Sequence, residues 1–262
     1  MKASPGDWEV PPSNVEVFSE RSSRFCIGIP VLNEGQRIRN QLSAMHGMKF
    51  GADVVIADGG STDGALDPEF LRAMCVRALL VKRGTGGLSA QLRIFFAWAL
   101  HEGYEGLLTI DGNGKDGLEG LVAIREALER GYDFVQGSRF IAGGMERNTP
   151  LDRRLALRLV HAPLLSLASG FHYTDTTNGL RGWSREALID PRVAPLRDVF
   201  QKYELHYYLS ARLPKLGYRV TEVPARREYP NSRRIPTKIE GVRSKLDLFR
   251  QLIGGVTGRY DP

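Results

Sequence analysis

The residues best able to do chemistry lie in the run from Leu107 to Gly117. A mostly apolar stretch, Leu107 to Ile110, delivers Asp111, and Asn113 follows two positions on with Gly112 between them. Oxygen donors at i and i+2, kept close by a glycine, suit a Mg²⁺ or Mn²⁺ that also binds a diphosphate. A calcium EF-hand loop would begin in the same way, with Asp111, Asn113 and Gly117 in place. Its glycine slot holds Asp116, however, and its bidentate-glutamate slot holds Val122, so that reading fails. The other alternative is an Asx-rich turn that caps the next helix.

Six further segments carry candidate groups. The loop from Pro30 to Glu34 includes Leu32, and the loop from Asp58 to Gly64 is rich in small polar residues. A carboxylate such as Asp58 at a strand end can accept from a nucleobase N–H or from ribose hydroxyls, and glycines let the backbone approach closely. A turn with a Ser61/Thr62 helix start is the alternative. The glycine-rich run Arg83 to Ser89 opens a helix, a setting that favours phosphate. It approaches a dinucleotide fingerprint, but it follows the third strand and has Ser89 in place of the last glycine, which excludes a dehydrogenase. Arg139, two residues after Gly137, ends a strand and can clamp a phosphate in bidentate fashion. Asp175 lies in a polar cluster that also holds Asn178 and Arg181, and Arg226, Arg227, Arg233, Arg234 and Lys238 form a final basic stretch. The latter reads either as a phosphate-binding loop or as a solvated face.

These groups need a scaffold, and the spacing of apolar residues supplies one. Phe25–Pro30, Asp53–Ala57, Ala78–Val81, Leu107–Ile110 and Asp133–Val135 read as buried strands. Glu34–Met45, Leu66–Met74, Leu88–His101 and Leu118–Arg130 read as the helices between them, and Gly103 and Gly131 stand where C-cap glycines belong. This alternation predicts an α/β fold with a mainly parallel sheet and helices on both faces. Ligands of such sheets sit beyond the carboxyl ends of the strands, where the loops above lie. The second half is less regular. Leu151–Ser169 reads as an amphipathic helix, Leu180–Trp183 as a strand, Val199–Leu213 as a helix, and Tyr218–Tyr229 as a hairpin-like extended pair broken at Pro224. Residues 230–238 read as a basic loop and Ile239–Ile253 as a closing helix.

Composition bounds the answer. The chain has 262 residues, 42% of them hydrophobic and 25% charged, which suits a globular domain and excludes wholesale disorder. Only Cys26 and Cys75 occur, so a disulfide scaffold and a cysteine metal site are excluded. Residues 1–24 form a polar, Pro- and Ser-containing arm without the pattern of a signal peptide. The longest uncharged run, Leu159–Thr174, has 16 residues and includes Pro163 and Gly170. A membrane span needs about 20 apolar residues, so a cytoplasmic location is expected. The net charge of +6 fits anionic partners such as nucleotides, phosphates or a lipid surface. Nucleic acid is not expected, because no recognition motif accompanies that charge.

Taken in order, the motifs resemble those of the family 2 glycosyltransferases with the GT-A fold, above all the polyprenyl-phosphate (dolichyl-phosphate) hexosyltransferases. The family's Ile-Pro-x-x-Asn-Glu start is matched by Ile29, Pro30, Asn33 and Glu34, and its Asp-Asp-Gly-Ser-x-Asp by Asp58 to Asp63. Its Asp-x-Asp is matched by Asp111 to Asn113 and its Gly-Ser-Arg by Gly137 to Arg139. Asp175 with Gly179 to Arg181, Glu204, and Glu222 to Pro224 complete the series, over about residues 25–240. Asn113 replaces the second acidic metal ligand and Gly59 the second aspartate of the nucleotide motif.

The resemblance implies a Rossmann-like GT-A domain over residues 25–230, followed by a basic loop and C-terminal helix over 231–262. It implies a metal-dependent, inverting transfer of a hexose from a UDP- or GDP-linked sugar to a polyprenyl-phosphate-type acceptor. Pro30, Leu32, Glu34 and Asp58, with Arg83 and Gly112, would bind the nucleotide. Asp111 and Asn113 would hold Mg²⁺ or Mn²⁺. Arg139, Arg153, Arg154 and Arg233 would clamp the acceptor phosphate, with Asp175 as the candidate base if the acceptor were a hydroxyl. The region Leu151–Phe171 would lie against the inner face of the membrane. Three other readings stand beside this one: a soluble family 2 enzyme acting on a sugar hydroxyl, a non-catalytic nucleotide-sugar binding protein, and a nucleotidyltransferase. The last would need a glycine-rich, arginine-containing loop after the first strand, which Pro30–Glu34 does not offer.

Overall fold

In the computed structural model, residues 8–229 and 241–262 are described. The first 17 of them, residues 8–24, already depart from expectation. Within the polar arm, β1 (Ser13–Val17) pairs antiparallel with β4 (Val76–Lys82) and forms an edge of the main sheet. Trp8 and Val10 pack against the core, and the Arg93 side chain donates to the Glu9 carbonyl. This strand is held by backbone pairing, and four of its five residues are exposed, so it has no apolar run to betray it.

The next elements follow the expected alternation. They are β2 (Phe25–Val31), α1 (Gln36–Met45), β3 (Asp53–Asp58), α2 (Pro68–Ala73), β4, α3 (Leu88–His101), β5 (Gly106–Thr109), α4 (Glu119–Glu129) and β6 (Phe134–Ser138). The short β7 (Met145–Arg147) leads to α5 (Leu151–Ala156), a π-helical turn (Leu157–His161) and α6 (Ala162–Ser169). The expected single helix over 151–169 is thus interrupted. Pro163 lacks the N–H that an α-helix needs there, and the Ala162 N–H reaches back five residues to the Leu157 carbonyl. β8 (Arg181–Ser184), α7 (Arg185–Ile189), α8 (Glu204–Lys215), β9 (Val220–Pro224), β10 (Arg226–Glu228) and α9 (Gly241–Val256) complete the order.

The main sheet runs β1-β4-β3-β2-β5-β8-β6-β9, parallel except at β1 and β8. One face is covered by a core that includes α3, α6 and α8, the other by a core that includes α1, α2 and α4. α3 lies under the sheet with almost every residue buried. Because β8 runs antiparallel between β5 and β6, its first residue, Arg181, pairs with both Thr109 and Gln136. That reversal carries segment 174–180 to the carboxyl ends of β5 and β6, beside Asp111 and Arg139.

The extended pair expected over Tyr218–Tyr229 is not a hairpin. β9 pairs parallel with β6, and β10 leaves to pair parallel with β7. Pro224 cannot donate to a ladder, and the chain changes partner there. The helix expected from Val199 begins only at Glu204. Its carboxylate accepts from the Gln201 and Lys202 N–H groups, which ties residues 201–203 into a loop.

Candidate active site

The carboxyl ends of β2 and β5 and the start of β8 open into a cleft of about 1190 Å³. Its walls are also built by α5, the π-helical turn, the start of α8, and α9. Pro30, Leu32, Glu34 and Gly112, expected at the nucleotide, line it. Two loops are fastened together there. The Asn33 N–H donates to Ser61 Oγ (3.0 Å), the Thr62 N–H to Asn33 Oδ1 (2.8 Å) and the Gly35 N–H to Asp63 Oδ2 (2.7 Å). Gln91, which the sequence does not single out, lines the same cleft and donates to the carbonyls of Val31 and Ala57. A side chain at Gly59 would place its Cβ 2.8 Å from Gln91 Nε2.

Three nucleotide-end expectations are corrected. Asp58 is buried outside the cleft lining, and its carboxylate accepts from the Ser61 N–H and Oγ, closing the turn. Arg83 is exposed, lies away from the cleft and sits beside β1, where its N–H donates to the Pro12 carbonyl. The α3 N-terminus is already capped from loop 201–203: the Gly87 and Ala90 N–H groups donate to the Gln201 carbonyl and the Ser89 N–H to that of Lys202. These bonds leave no anion cradle of the expected kind.

At the cleft floor Asp111 and Asn113 lie together, with Asn113 Nδ2 3.4 Å from Asp111 Oδ2. The sequence does not point to their main partner. Arg227 Nη1 donates to both oxygens of Asp116 (2.8 and 2.7 Å), and Nη1 and Nη2 each approach Asp111 Oδ2 at 3.2 Å. Asp116 is fully buried at its side chain. Its carboxyl is pushed up by burial, to about 6, against the pull of Arg227. Burial opposes charge on Arg227, yet Asp116 and Asp111 raise it well above the ordinary guanidinium value, so it stays a cation. Among the described residues no group of three or more His, Cys, Asp or Glu could hold a metal. The donors that are present fit one bound jointly with a ligand: Asp111 and Asn113 offer hard oxygens, the chemistry that Mg²⁺ and Mn²⁺ prefer. The glycine at 179 leaves Asp111 Oδ1 the space a Cβ would fill.

Arg139 lines the cleft but is not free. Nε donates to Asp175 Oδ2 (2.6 Å) and Nη2 to Asp175 Oδ1 (3.0 Å) and Thr177 Oγ1 (2.9 Å). Asp175 is fully buried, and Glu222 accepts from its backbone N–H. The expectation of Asp175 as an open base is therefore corrected: it orients Arg139. Arg153 lines the cleft, whereas Arg154 turns out of it to pair with Glu146 (2.6 Å). Arg233, with Arg234, Lys238 and the rest of loop 230–238, lies outside the described residues. Lys115, Arg153 and Arg227 all stand within 6 Å of the Tyr229 ring. Burial pushes the Tyr229 phenol up, but Arg227 and Arg139 outweigh it and leave the phenol below its usual value. Arg181 is buried in the cleft wall, donates to the carbonyls of Thr176, Asn178 and His206, and is pushed down to about 10 by burial.

No protein-family model matches the chain. It is 29% identical over 244 residues to polyprenol monophosphomannose synthase of Mycolicibacterium smegmatis, covering 92% of this chain and 90% of that protein. It is 30% identical over 199 residues to undecaprenyl-phosphate mannosyltransferase of Micrococcus luteus, covering 75% and 80%. Among solved structures, glucosyl-3-phosphoglycerate synthase from Mycobacterium tuberculosis aligns over 91% of this chain and 80% of that one, with a TM-score of 0.61 at 16% identity, a likeness of fold. The sequence relatives and the fold together place the chain in the polyprenyl-phosphate hexosyltransferase family of GT-A glycosyltransferases.

Proposed function

We propose that the protein moves a hexose from a nucleotide sugar to a polyprenyl phosphate, and that it does so with a divalent metal. One observation carries this reading: a single cleft has a nucleotide-loop end, an Asp111/Asn113 floor, an arginine-bearing wall and an apolar side made by Leu157, Val160, Leu248 and Phe249. Arg139 and Arg153 give that wall a positive charge that a neutral acceptor would not use. A phosphate monoester on an apolar chain uses both sides. One relative named for its undecaprenyl-phosphate acceptor and one named for a polyprenol monophosphomannose product support the acceptor, and the M. tuberculosis synthase, solved with Mn²⁺ and UDP, supports the metal.

Asp111 and Asn113 would hold the metal, which when bound supplies Lewis acidity to the departing diphosphate. The acceptor phosphate is largely a dianion at neutral pH and needs no base. One of its oxygens attacks the anomeric carbon as the bond from that carbon to the nucleoside diphosphate breaks, with inversion. Arg139, locked by Asp175, and Arg153 orient that phosphate. Glu34 and the Pro30–Leu32 backbone seat the nucleoside. The acceptor places the site at a membrane surface. Among the described residues no helix is long and apolar enough to cross a membrane.

The test is a transfer assay with UDP- and GDP-linked hexoses, Mn²⁺ or Mg²⁺, and a short-chain polyprenyl phosphate in detergent. The expected product is a polyprenyl-phosphate hexose with stoichiometric release of nucleoside diphosphate. Transfer to sugar hydroxyls with none to the lipid phosphate would establish the soluble alternative instead.

A further inference from the structure

Arg227 is set where it competes with a metal. It comes from β10, whose backbone is stitched to the loop that follows Asp111. The Gly117 N–H donates to the Arg226 carbonyl and the Glu228 N–H to the Lys115 carbonyl, both at 2.8 Å. The guanidinium therefore cannot drift away as a surface arginine would. It is 8% exposed, bound to both oxygens of Asp116 and to Oδ2 of Asp111. Asn113 adds a third N–H donor toward the same Asp111 oxygen. The loop thus presents two carboxylates with one fixed cation, Arg227, already between them, and Lys115 of the same loop brings the count of charges to about zero. A divalent ion approaching Asp111 meets that cation at close range and finds few other acidic ligands.

We infer that Arg227 is a built-in counter-cation for Asp111, which holds divalent metal off until the donor's diphosphate supplies further oxygens, so that metal and nucleotide bind as a coupled pair. The inference rests on the metal-dependent reading above and deepens it. Arg227 is here a positioning residue: it acts through Asp111, and it keeps Asp116 and Asp111 from repelling each other when the cleft is empty. By linkage, whatever the nucleotide does to metal affinity the metal does to nucleotide affinity, by the same factor.

The experiment is a Mn²⁺ titration of the full chain, reading free Mn²⁺ by electron paramagnetic resonance, alone and with saturating UDP or GDP. For the wild type the expected result is binding at least about tenfold tighter with one of the nucleotides, within the usual range of such couplings. Arg227→Met is expected to tighten Mn²⁺ binding without nucleotide by about tenfold and to shrink the coupling, while Arg227→Lys keeps it. Removing Arg227 alone leaves Asp116 buried and unpaired, so the double variant Asp116→Asn/Arg227→Met, which frees Asp111 Oδ2 without that unpaired charge, is expected to shift binding and coupling in the same direction by a smaller step. Equal Mn²⁺ affinity with and without nucleotide in the wild type would overturn the inference. So would a coupling ratio unchanged in both Met variants. No Mn²⁺ binding in any condition would instead overturn the metal reading on which it stands.

Discussion

A Cβ at residue 179 would lie 2.2 Å from Oδ1 of Asp111, so Gly179 is the space in which that carboxylate sits. The same residue is pinned from behind, because Thr109 Oγ1 donates to its carbonyl at 2.8 Å. Asp111 therefore owes its position to a segment reached by the reversed strand β8, and the Gly-Leu-Arg motif and the metal motif form one structure.

Gly179→Ala is expected to push the Asp111 carboxylate off its place while leaving the sheet intact. Overpacking of this kind costs about 1–3 kcal/mol of stability. Turnover should fall by about a hundredfold, the scale of loss from misplacing a reacting group by about 1 Å. Steady-state kinetics and a thermal melt on the same sample check it. Normal kinetics in a folded Gly179→Ala protein would show that Asp111 needs no such space.

Asp111 and Asn113 differ in what their replacement should do. Asp111→Ala removes the only carboxylate of the metal motif, so turnover and metal-dependent nucleotide binding should both disappear with the fold kept. Asn113→Asp should retain activity and tighten metal binding, because a second carboxylate adds charge to the ligand set. A nucleotide-binding titration with and without Mn²⁺ separates the two. An active Asp111→Ala enzyme would remove the metal anchor from Asp111.

Burial explains which parts were legible in the sequence. β2 to β6 read correctly because parallel strands covered on both faces are apolar throughout, and their carboxyl-end loops followed from that. β1 was illegible because only its backbone matters to the edge it covers. Arg227 and Asp116 were each visible as charges, but they are 111 residues apart and no local spacing joins them. Asp175 illustrates the converse. A polar cluster in sequence reads as an open site, and only the packing of Arg139 and Glu222 around it turns the carboxylate into a buried brace.

That brace has an energetic signature. Arg139→Met leaves Asp175 buried and unpaired, which costs about 3–5 kcal/mol. The double variant Arg139→Met/Asp175→Leu should recover most of that loss, since replacing both members of a buried pair is often close to neutral. Acceptor use should remain impaired in the double variant, because stability and phosphate binding are lost for different reasons. Chemical denaturation and acceptor KM measured together test this. A double variant as unstable as the single one would mean that Arg139 is held by something other than its partner.

Two histidines predict how stability depends on pH. His206 is held well below its ordinary value by burial and then by Arg181, and His161 is lowered by burial. Neither His206 Nε2 nor His161 Nδ1 has a hydrogen-bond partner among the described residues. The unfolded chain takes up protons near pH 6.5 while the folded one does not, so stability falls as pH falls through that value. The slope is at most about 1.4 kcal/mol per pH unit for each histidine. Urea unfolding of the wild type and of His206→Gln at pH 7.5 and 5.5 reads the difference. An identical loss in both proteins would assign the acid sensitivity elsewhere.

The last prediction concerns the outer face of the cleft. Leu151, Leu155 and Leu159 recur at helical spacing on α5 and the π-helical turn, and Leu167 follows on α6. All four are more than half exposed, and Leu167 reaches 85%. α9 adds Leu246 and Phe249, and Lys245 ties it to Asp152 of α5 at 2.9 Å. An apolar face with Arg154 and Arg158 beside it suits an anionic lipid interface, where each buried leucine contributes about 1.5–3 kcal/mol and the arginines add a salt-sensitive attraction. The protein is therefore expected to co-sediment with vesicles containing anionic lipid and to detach as salt rises. Leu155→Glu/Leu159→Glu should weaken that binding at least about tenfold. The same variant should keep its melting temperature, because the two side chains leave no core behind. Vesicle binding that neither occurs in the wild type nor drops in the variant would turn this face into ordinary surface and leave the acceptor to be drawn from solution.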